Sequence, residues 1–318
     1  MQTSSLRPLV AIGDLAWDVL SKPDSMLMPG GDTTGRVLLM GGGSSANVAV
    51  WSARVGYPTA FIGEIGRDRF GEFAVQELEA EGVTPHIIWN ETRPTGVILV
   101  LIDASGQRSM LTSQGADFDL RPEELPVEVI QSAGHVHLTA WSLFTDPPRT
   151  AALRAAHIAR DAGITISFDP GSFQMIREIG REEFRRMTRN LSLDFIFPNL
   201  DEGQALTGAR KPTDVLEALQ RLYPEAMILL KLGPEGAMIL NGGEVTRLEA
   251  TTDKAVDATG AGDSFGGAFL GHYLRSRDVR SAGNLAVQVA GWVISRFGAR
   301  PPADEDLQQR LRRFGFAG

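Results

Sequence analysis

Residues Thr259-Gly260-Ala261-Gly262-Asp263 set nearly bare backbone beside a carboxylate, and a small-residue apolar run from Phe265 to Leu270 follows. Such a run reads as a buried helix, so the glycines would open a helix N-terminus with its N–H groups turned toward a ligand. That end carries roughly half a positive charge and several unpaired donors, which stabilise a phosphate or a developing oxyanion. A carboxylate there repels an anionic ligand unless it takes part in the reaction, and a base that deprotonates an attacking hydroxyl meets that condition. Taken alone, the stretch also fits a tight turn capped by Asp263.

Two further segments join glycine to polar side chains. The apolar run Leu9 to Ile12 ends in Gly13 and is followed by Asp14 and Asp18; strand ends of this kind are where open α/β sheets bind ligands. Either carboxylate can accept from substrate hydroxyls, a solvated turn being the alternative. Gly41-Gly42-Gly43-Ser44-Ser45-Ala46-Asn47 then feeds Val48 to Val55, which is at helical spacing and closed by Gly56. The glycines permit close backbone approach, and Asn47 can both donate to and accept from a sugar hydroxyl. No Lys-Ser/Thr follows these glycines and no G-x-G-x-x-G is present, so neither a P-loop nor a nicotinamide-dependent dehydrogenase is indicated.

The elements that must hold these residues alternate regularly. His135 to Leu138, Ile164 to Phe168, Phe195 to Phe197 and Met227 to Lys231 read as strands, with helices over Pro148 to Ala162, Glu182 to Arg189 and from Leu200. Gly236 to Leu240 pairs with Glu244 to Leu248 as a hairpin, and Ala282 to Phe297 and Asp304 to Phe314 are the last helices. This order predicts an α/β fold, a mostly parallel sheet with helices on both faces. Alternating sequence from Thr95 to Thr112, with a turn at Asp103-Ala-Ser-Gly106, joins the turn-rich segment before Met40 in a small sheet set apart from the main fold. We read residues 1–318 as one domain whose lid, about 17–40 and 91–115, covers the substrate and excludes water. Phe73 to Glu81 is a further helix, ended by Gly82.

Composition narrows the chemistry. The chain has 318 residues, 43% hydrophobic, no cysteine and a formal charge of −8. Disulfides, thiolate catalysis and Cys-ligated zinc are excluded, and a general nucleic-acid surface is disfavoured. The apolar runs stop short of a membrane span, and the first residues, Met1 to Pro8, lack a signal-peptide core, which leads us to expect a cytoplasmic protein. His135 and His137 share one face of a strand and could pair on a metal, but half-buried strand residues are the commoner case.

The glycine-rich turn with Asn47, the Thr259–Asp263 segment, and Asn199-Leu200-Asp201-Glu202 between them stand in the order seen in the ribokinase-like (PfkB) family of carbohydrate kinases, and the chain resembles that family over nearly its whole length. Gly56, Gly66, Asp68 and Gly71 also fall where such proteins place them. The resemblance implies that Asp263 is the catalytic base, that Gly260, Ala261 and Gly262 form the anion hole for the γ-phosphoryl group of ATP, and that Glu202, with Asn199, organises Mg²⁺ through water. It implies sugar contacts from Asp18, Gly43 and Asn47, nucleotide contacts from Lys231, Gly233 and Asn284, and a monovalent cation, K⁺ in ribokinase, at Asp257 and Thr259. Pro302 replaces a serine of that cation site, and Lys231 a threonine. Arg108, beside the lid hairpin, could meet an acidic or phosphorylated sugar, a surface arginine being the commoner reading.

The reaction expected is ATP-dependent phosphorylation of a hydroxymethyl group on a small sugar. A nucleoside kinase of the same family is the nearest alternative, with Trp17, Trp141 and Phe173 as candidate aromatic contacts. A non-catalytic ligand-sensing protein is a third, and the intact Asp263, Asn199 and Glu202 argue against it. A homodimer through the lid sheet is expected because an open edge gains by pairing.

Overall fold

Leu9-Val-Ala-Ile12 is apolar at every position because both faces of this strand are covered: Leu9 and Ala11 point into one core, Val10 and Ile12 into the other. The computed structural model describes residues 6–103 and 108–316, with Arg108 taken as backbone only. Residues 1–5 and the expected turn residues Ala104 to Gly106 lie outside the described part.

In chain order the first half runs β1 (Leu9–Ile12), β2 (Ala16–Pro23), β3 (Gly35–Gly42), α1 (Ser44–Arg54), β4 (Thr59–Gly66), α2 (Arg69–Ala80), β5 (Val83–Asn90), β6 (Gly96–Ile102), β7 (Arg108–Ser113), α3 (Val127–Ser132) and β8 (His135–Thr139). The second half runs α4 (Pro148–Asp161), β9 (Thr165–Asp169), α5 (Phe173–Ile179), α6 (Arg181–Arg189), β10 (Phe195–Ile196), α7 (Leu200–Thr207), α8 (Pro212–Leu222), β11 (Met227–Lys231), β12 (Ala237–Asn241), β13 (Glu244–Leu248), α9 (Ala261–Ser276), α10 (Val279–Ile294) and α11 (Glu305–Arg312).

The main sheet has nine strands in the order β13-β12-β11-β10-β9-β8-β1-β4-β5, parallel except where β12 pairs with β11 and β13. The second sheet has four, in the order β3-β2-β6-β7. One core lies under α4 to α8, with Ala155, Ile176, Phe184, Leu206 and Val215 against Val136 and Ile228. The other lies under α1, α9 and α10, where Val48, Phe269 and Ala286 meet Ala11 and Leu229. This is the expected two-faced architecture with its small separate sheet.

Several boundaries differ from the sequence expectation. Helix α1 starts at Ser44, so Asn47 lies within its first turn instead of in the glycine loop before it. Strand β2 starts at Ala16, which puts Asp18 on the lid sheet, paired with Met40 and Ile98. Strand β5 was not expected, because Pro85 interrupts its pattern; it is the edge strand beside β4, where a missing N–H is tolerated. The helices α3, α5 and α8 were also not anticipated.

Glycines on α9 decide how near the site's two halves come. A Cβ at Gly267 would sit 2.5 Å from the Val48 carbonyl oxygen and 2.7 Å from the Trp51 Cβ, and one at Gly271 would sit 2.5 Å from Val55 Cγ2. The bare face of α9 therefore lets α1 lie against it with backbone contact. Gly267→Ala should destabilise the fold by ~1–3 kcal/mol through overpacking, measured by urea denaturation. An unchanged midpoint would mean that α1 can retreat without loss.

Candidate active site

The parallel strands bring their C-terminal ends to one rim. Asp14 follows β1, Thr139 ends β8, Asp169 ends β9, Asn199 follows β10 and Lys231 ends β11, in five neighbouring strands. Open α/β sheets bind ligands at this edge, because loops there are free to diverge. Above the rim lies a cavity of about 940 Å³, lined on its far side by Asp18, Ile98, Met110 and Thr112 of the four-stranded sheet.

Helix α9 aims its N-terminus into this cavity. Gly260 is the N-cap in the left-handed region at φ 71°, and a Cβ there would press on Ala299 at 2.5 Å. The Ala261 N–H turns back to the Ala258 carbonyl at 3.3 Å. Among the described residues, the N–H groups of Gly260, Gly262 and Asp263 meet no protein acceptor, so the donor set differs by one from the Gly260, Ala261, Gly262 expected. Asp263 does not cap the helix: its Oδ2 accepts from the Asn47 Nδ2 at 2.7 Å. Burial pushes its carboxyl up to about 7, with Asp169 and Asp14 adding to the rise and the Asn47 hydrogen bond and Lys231 opposing it.

Around Asp263 sits an excess of negative charge. Lys231 Nζ donates to Asp169 Oδ2 at 2.7 Å, and a Cβ on Gly262 would lie 3.0 Å from the same Nζ. The lysine thus stands beneath the α9 terminus, held by Asp169, whose other oxygen accepts from the Gly171 N–H. Asn199 and Glu202 form a reciprocal capping box at the start of α7: the asparagine oxygen accepts from the Glu202 N–H, while the glutamate accepts from both nitrogens of Asn199 at 2.8 Å. Glu202 is buried and pushed up to about 7, first by desolvation and then by Asp169. Both residues therefore have a helix-capping role while also lining the cavity.

On the acceptor side, Asp18 is 6% exposed, lines the cavity, and its carboxylate has no hydrogen-bond partner among the described residues. Burial raises it to about 6, with Arg300 opposing and Asp14 and Asp257 adding. A Cβ on Gly42 would lie 2.5 Å from the Asp18 Oδ1, which explains the bare residue there. Asp14 differs from the expected sugar ligand in being a helix clamp: its oxygens accept from the N–H groups of Ser44 at 2.6 Å and Ser45 at 3.1 Å. Gly43, at φ 89°, makes that approach, since a Cβ would meet the Asp14 carbonyl at 2.4 Å. Asn47 is also more committed than expected, because its oxygen accepts from Arg300 Nε at 2.6 Å.

Other expected residues fall elsewhere. Asn284 is exposed and outside the cavity; Val287, Ala290, Gly291 and Ile294 of α10 line it instead. Asn284 lies on the same stripe as Gly291, but about 10 Å further toward the helix N-terminus. The Arg108 backbone opens β7 opposite Ile102. Asp257 Oδ1 accepts from the N–H and hydroxyl of Thr259, and Oδ2 from the Gly298 N–H at 2.9 Å, clipping that turn to the 298–300 loop. His135 and His137 are buried and share Ser167 Oγ, with desolvation holding both rings below the usual imidazole range. No group of three or more metal-ligating side chains occurs among the described residues.

Two groups were missed at the sequence level. Asp117 lines the cavity, pushed up to about 7 by burial and then by Asp14, and its Oδ1 has no partner. Its loop carries no glycine signature of its own. Arg300 stands in no motif of its own, and the 253-residue separation from Asn47 hides their contact from any local pattern.

The comparisons with known proteins agree with this geometry. A family model described as pfkB family carbohydrate kinase matches residues 7–306. An ATP-dependent ribose-1-phosphate kinase from Halopiger xanaduensis is 32% identical, covering 93% of this chain and 95% of the relative, and a fructokinase from Escherichia coli is 30% identical over 93% of this chain and 97% of its own. The crystal structure of adenosine kinase from Sinorhizobium meliloti superposes with a TM-score of 0.87 at 26% identity, covering 96% of this chain and 99% of that one. A carboxylate-bearing helix terminus above the strand ends, a small sheet across the cavity and a family match over most of the sequence lead to one conclusion: this chain belongs to the pfkB family of carbohydrate kinases.

Proposed function

We propose that the protein transfers the γ-phosphoryl group of ATP to a primary hydroxyl of a small neutral sugar, with Asp263 as the base. The observation that carries this reading is the meeting of a cavity-facing carboxylate with unpartnered N–H groups at one helix terminus. The acceptor oxygen attacks the γ-phosphorus and its proton passes to Asp263, while the bond from that phosphorus to the β–γ bridging oxygen breaks and ADP leaves. The N–H groups of Gly262 and Asp263 offset charge on the equatorial oxygens. Lys231 Nζ, beside Gly262, adds to that effect.

The donor set fits Mg²⁺ held mainly by water and phosphate oxygens, since Glu202 and Asp169 lie near each other without forming a closed cage. Bound there, Mg²⁺ would neutralise the phosphates. In the same reading Asp18 accepts from acceptor hydroxyls, and K⁺ seats at the Asp257–Thr259 turn as an activator. The related enzymes named above act on different acceptors, so the sugar is read from the cavity. A riboside is the second reading, favoured by Trp141 and Phe118, which line the cavity. Trp17 packs instead on Phe70, and Phe173 lies under the Arg177 guanidinium.

In the same reading the protein is a cytoplasmic enzyme that pairs through its lid sheet. Val37 and Leu39 on the edge strand β3 are 63% and 56% exposed, and Leu111 on β7, on the same face of the sheet, is 68% exposed. A second copy covering this face would remove an apolar patch and an open edge.

Asp263→Asn should lower kcat by about 10²–10⁴-fold while changing ATP affinity little; near-normal turnover would remove Asp263 as the base. Because that base must be ionised to accept a proton, kcat/KM should fall as pH drops through about 7 and level off above it. A limb near pH 4 would mean another group governs the step. ADP formation from Mg-ATP over ribose, fructose, ribose 1-phosphate, sugar acids and adenosine, with and without K⁺, should single out a neutral acceptor and run faster with K⁺. A preference for a phosphorylated or acidic acceptor would overturn the acceptor reading, and equal rates would remove K⁺. Light scattering should give twice the chain mass, falling to the single-chain mass for Leu39→Asp; a monomeric native protein contradicts the lid interface.

A further inference from the structure

Asn47 has two ends of nearly equal shape, one an acceptor and one a donor, and the direction it faces decides what Asp263 experiences. Its oxygen lies 2.6 Å from Arg300 Nε and its nitrogen 2.7 Å from Asp263 Oδ2. Guanidinium nitrogens only donate. The amide oxygen must therefore face Arg300, and the amide N–H must face Asp263. A rotation by 180° would set two donors against each other at one end and two acceptors at the other.

We propose that Arg300 is a positioning residue for proton transfer: acting through Asn47, it dictates that Asp263 Oδ2 stays an acceptor and that Oδ1 receives the proton of the substrate hydroxyl. This rests on the kinase reading above. Reversed, the Asn47 oxygen would face Oδ2 and favour a protonated carboxyl there, the inactive state of a base.

The chain holds Arg300 firmly for this purpose. Trp51 Nε1 donates to the Ala299 carbonyl at 3.0 Å and Arg54 Nη1 to the Pro301 carbonyl at 2.8 Å, so α1 grips the loop on both sides of Arg300. Its own Nη2 donates to the Gly42 carbonyl at 2.7 Å, and the residue is only 7% exposed. Among the described residues Arg300 forms no ion pair; its hydrogen bonds go to two neutral oxygens, those of Asn47 and Gly42. Glu77 and then Asp18 offset its charge through space without a hydrogen bond, and as a donor that cannot also accept it is what the Asn47 amide requires.

The test combines a mutant cycle with a readout independent of turnover. Arg300→Leu should lower kcat about 10–100-fold with KM for Mg-ATP within about twofold, and Arg300→Lys, still only a donor, should recover most of the loss. In the Asn47→Ala background, Arg300→Leu should add little further loss, because its effect passes through the missing amide. Arg300→Gln, which can accept as well as donate, replaces the leucine variant if the latter does not fold. In NMR spectra, the Asn47 side-chain N–H facing Asp263 should exchange slowly with solvent in the native protein and the lysine variant, and rapidly in the leucine or glutamine variant. Fully additive losses, failure of lysine to rescue, or unchanged amide exchange would each overturn the proposal. Absence of any Asp263-dependent turnover would count against the kinase reading instead, and amide exchange would still decide the role of Arg300.

Discussion

The hydrogen bond from Asn47 to Asp263, 2.7 Å across 216 residues of sequence, is the constraint on which the site depends. It joins the first turns of α1 and α9, and forms only because Gly267 and Gly271 let the two helices touch backbone to side chain. The same α1 carries Trp51 and Arg54, which hold the loop of Arg300. One helix thus carries Asn47 to the proposed base, grips the loop of Arg300, and starts beside the Asp14 clamp. Packing and proton chemistry are here the same set of contacts.

The second organising feature is an imbalance of charge. Asp169, Glu202 and Asp263 gather round Lys231, and Asp14, Asp18 and Asp117 line the other half of the cavity. Burial first, and then the neighbouring carboxylates, hold Asp18, Asp117, Glu202 and Asp263 above their ordinary range. A cation brought in with nucleotide phosphates would relieve that repulsion, so the acidity of the rim suits a site completed by its substrates.

Local features were legible in the sequence and distant ones were not. The α9 terminus, the start of α7 at Leu200 and the β12–β13 hairpin each arise within a few neighbouring residues, and each formed where the local sequence placed it, although the Asn199–Glu202 capping box itself was not anticipated. Strand β5 was obscured by Pro85, whose tolerance depends on an edge position that only the assembled sheet defines. The Lys231–Asp169 pair, the Arg300–Asn47 contact and the capping role of Asp14 connect separate elements, so no spacing announces them. Asn284 shows the same limit at smaller scale: its helix stripe is the right one, but where the cavity ends along that helix is set by the elements packed around it.

A crystal structure with a non-hydrolysable ATP analogue, Mg²⁺ and the best acceptor would test the central claim most directly. The account predicts the γ-phosphate within hydrogen-bond reach of the Gly262 and Asp263 N–H groups, and the acceptor hydroxyl against Asp263 Oδ1 on the side opposite the leaving group. A γ-phosphate bound away from the α9 terminus, or an acceptor hydroxyl out of reach of Asp263, would contradict it.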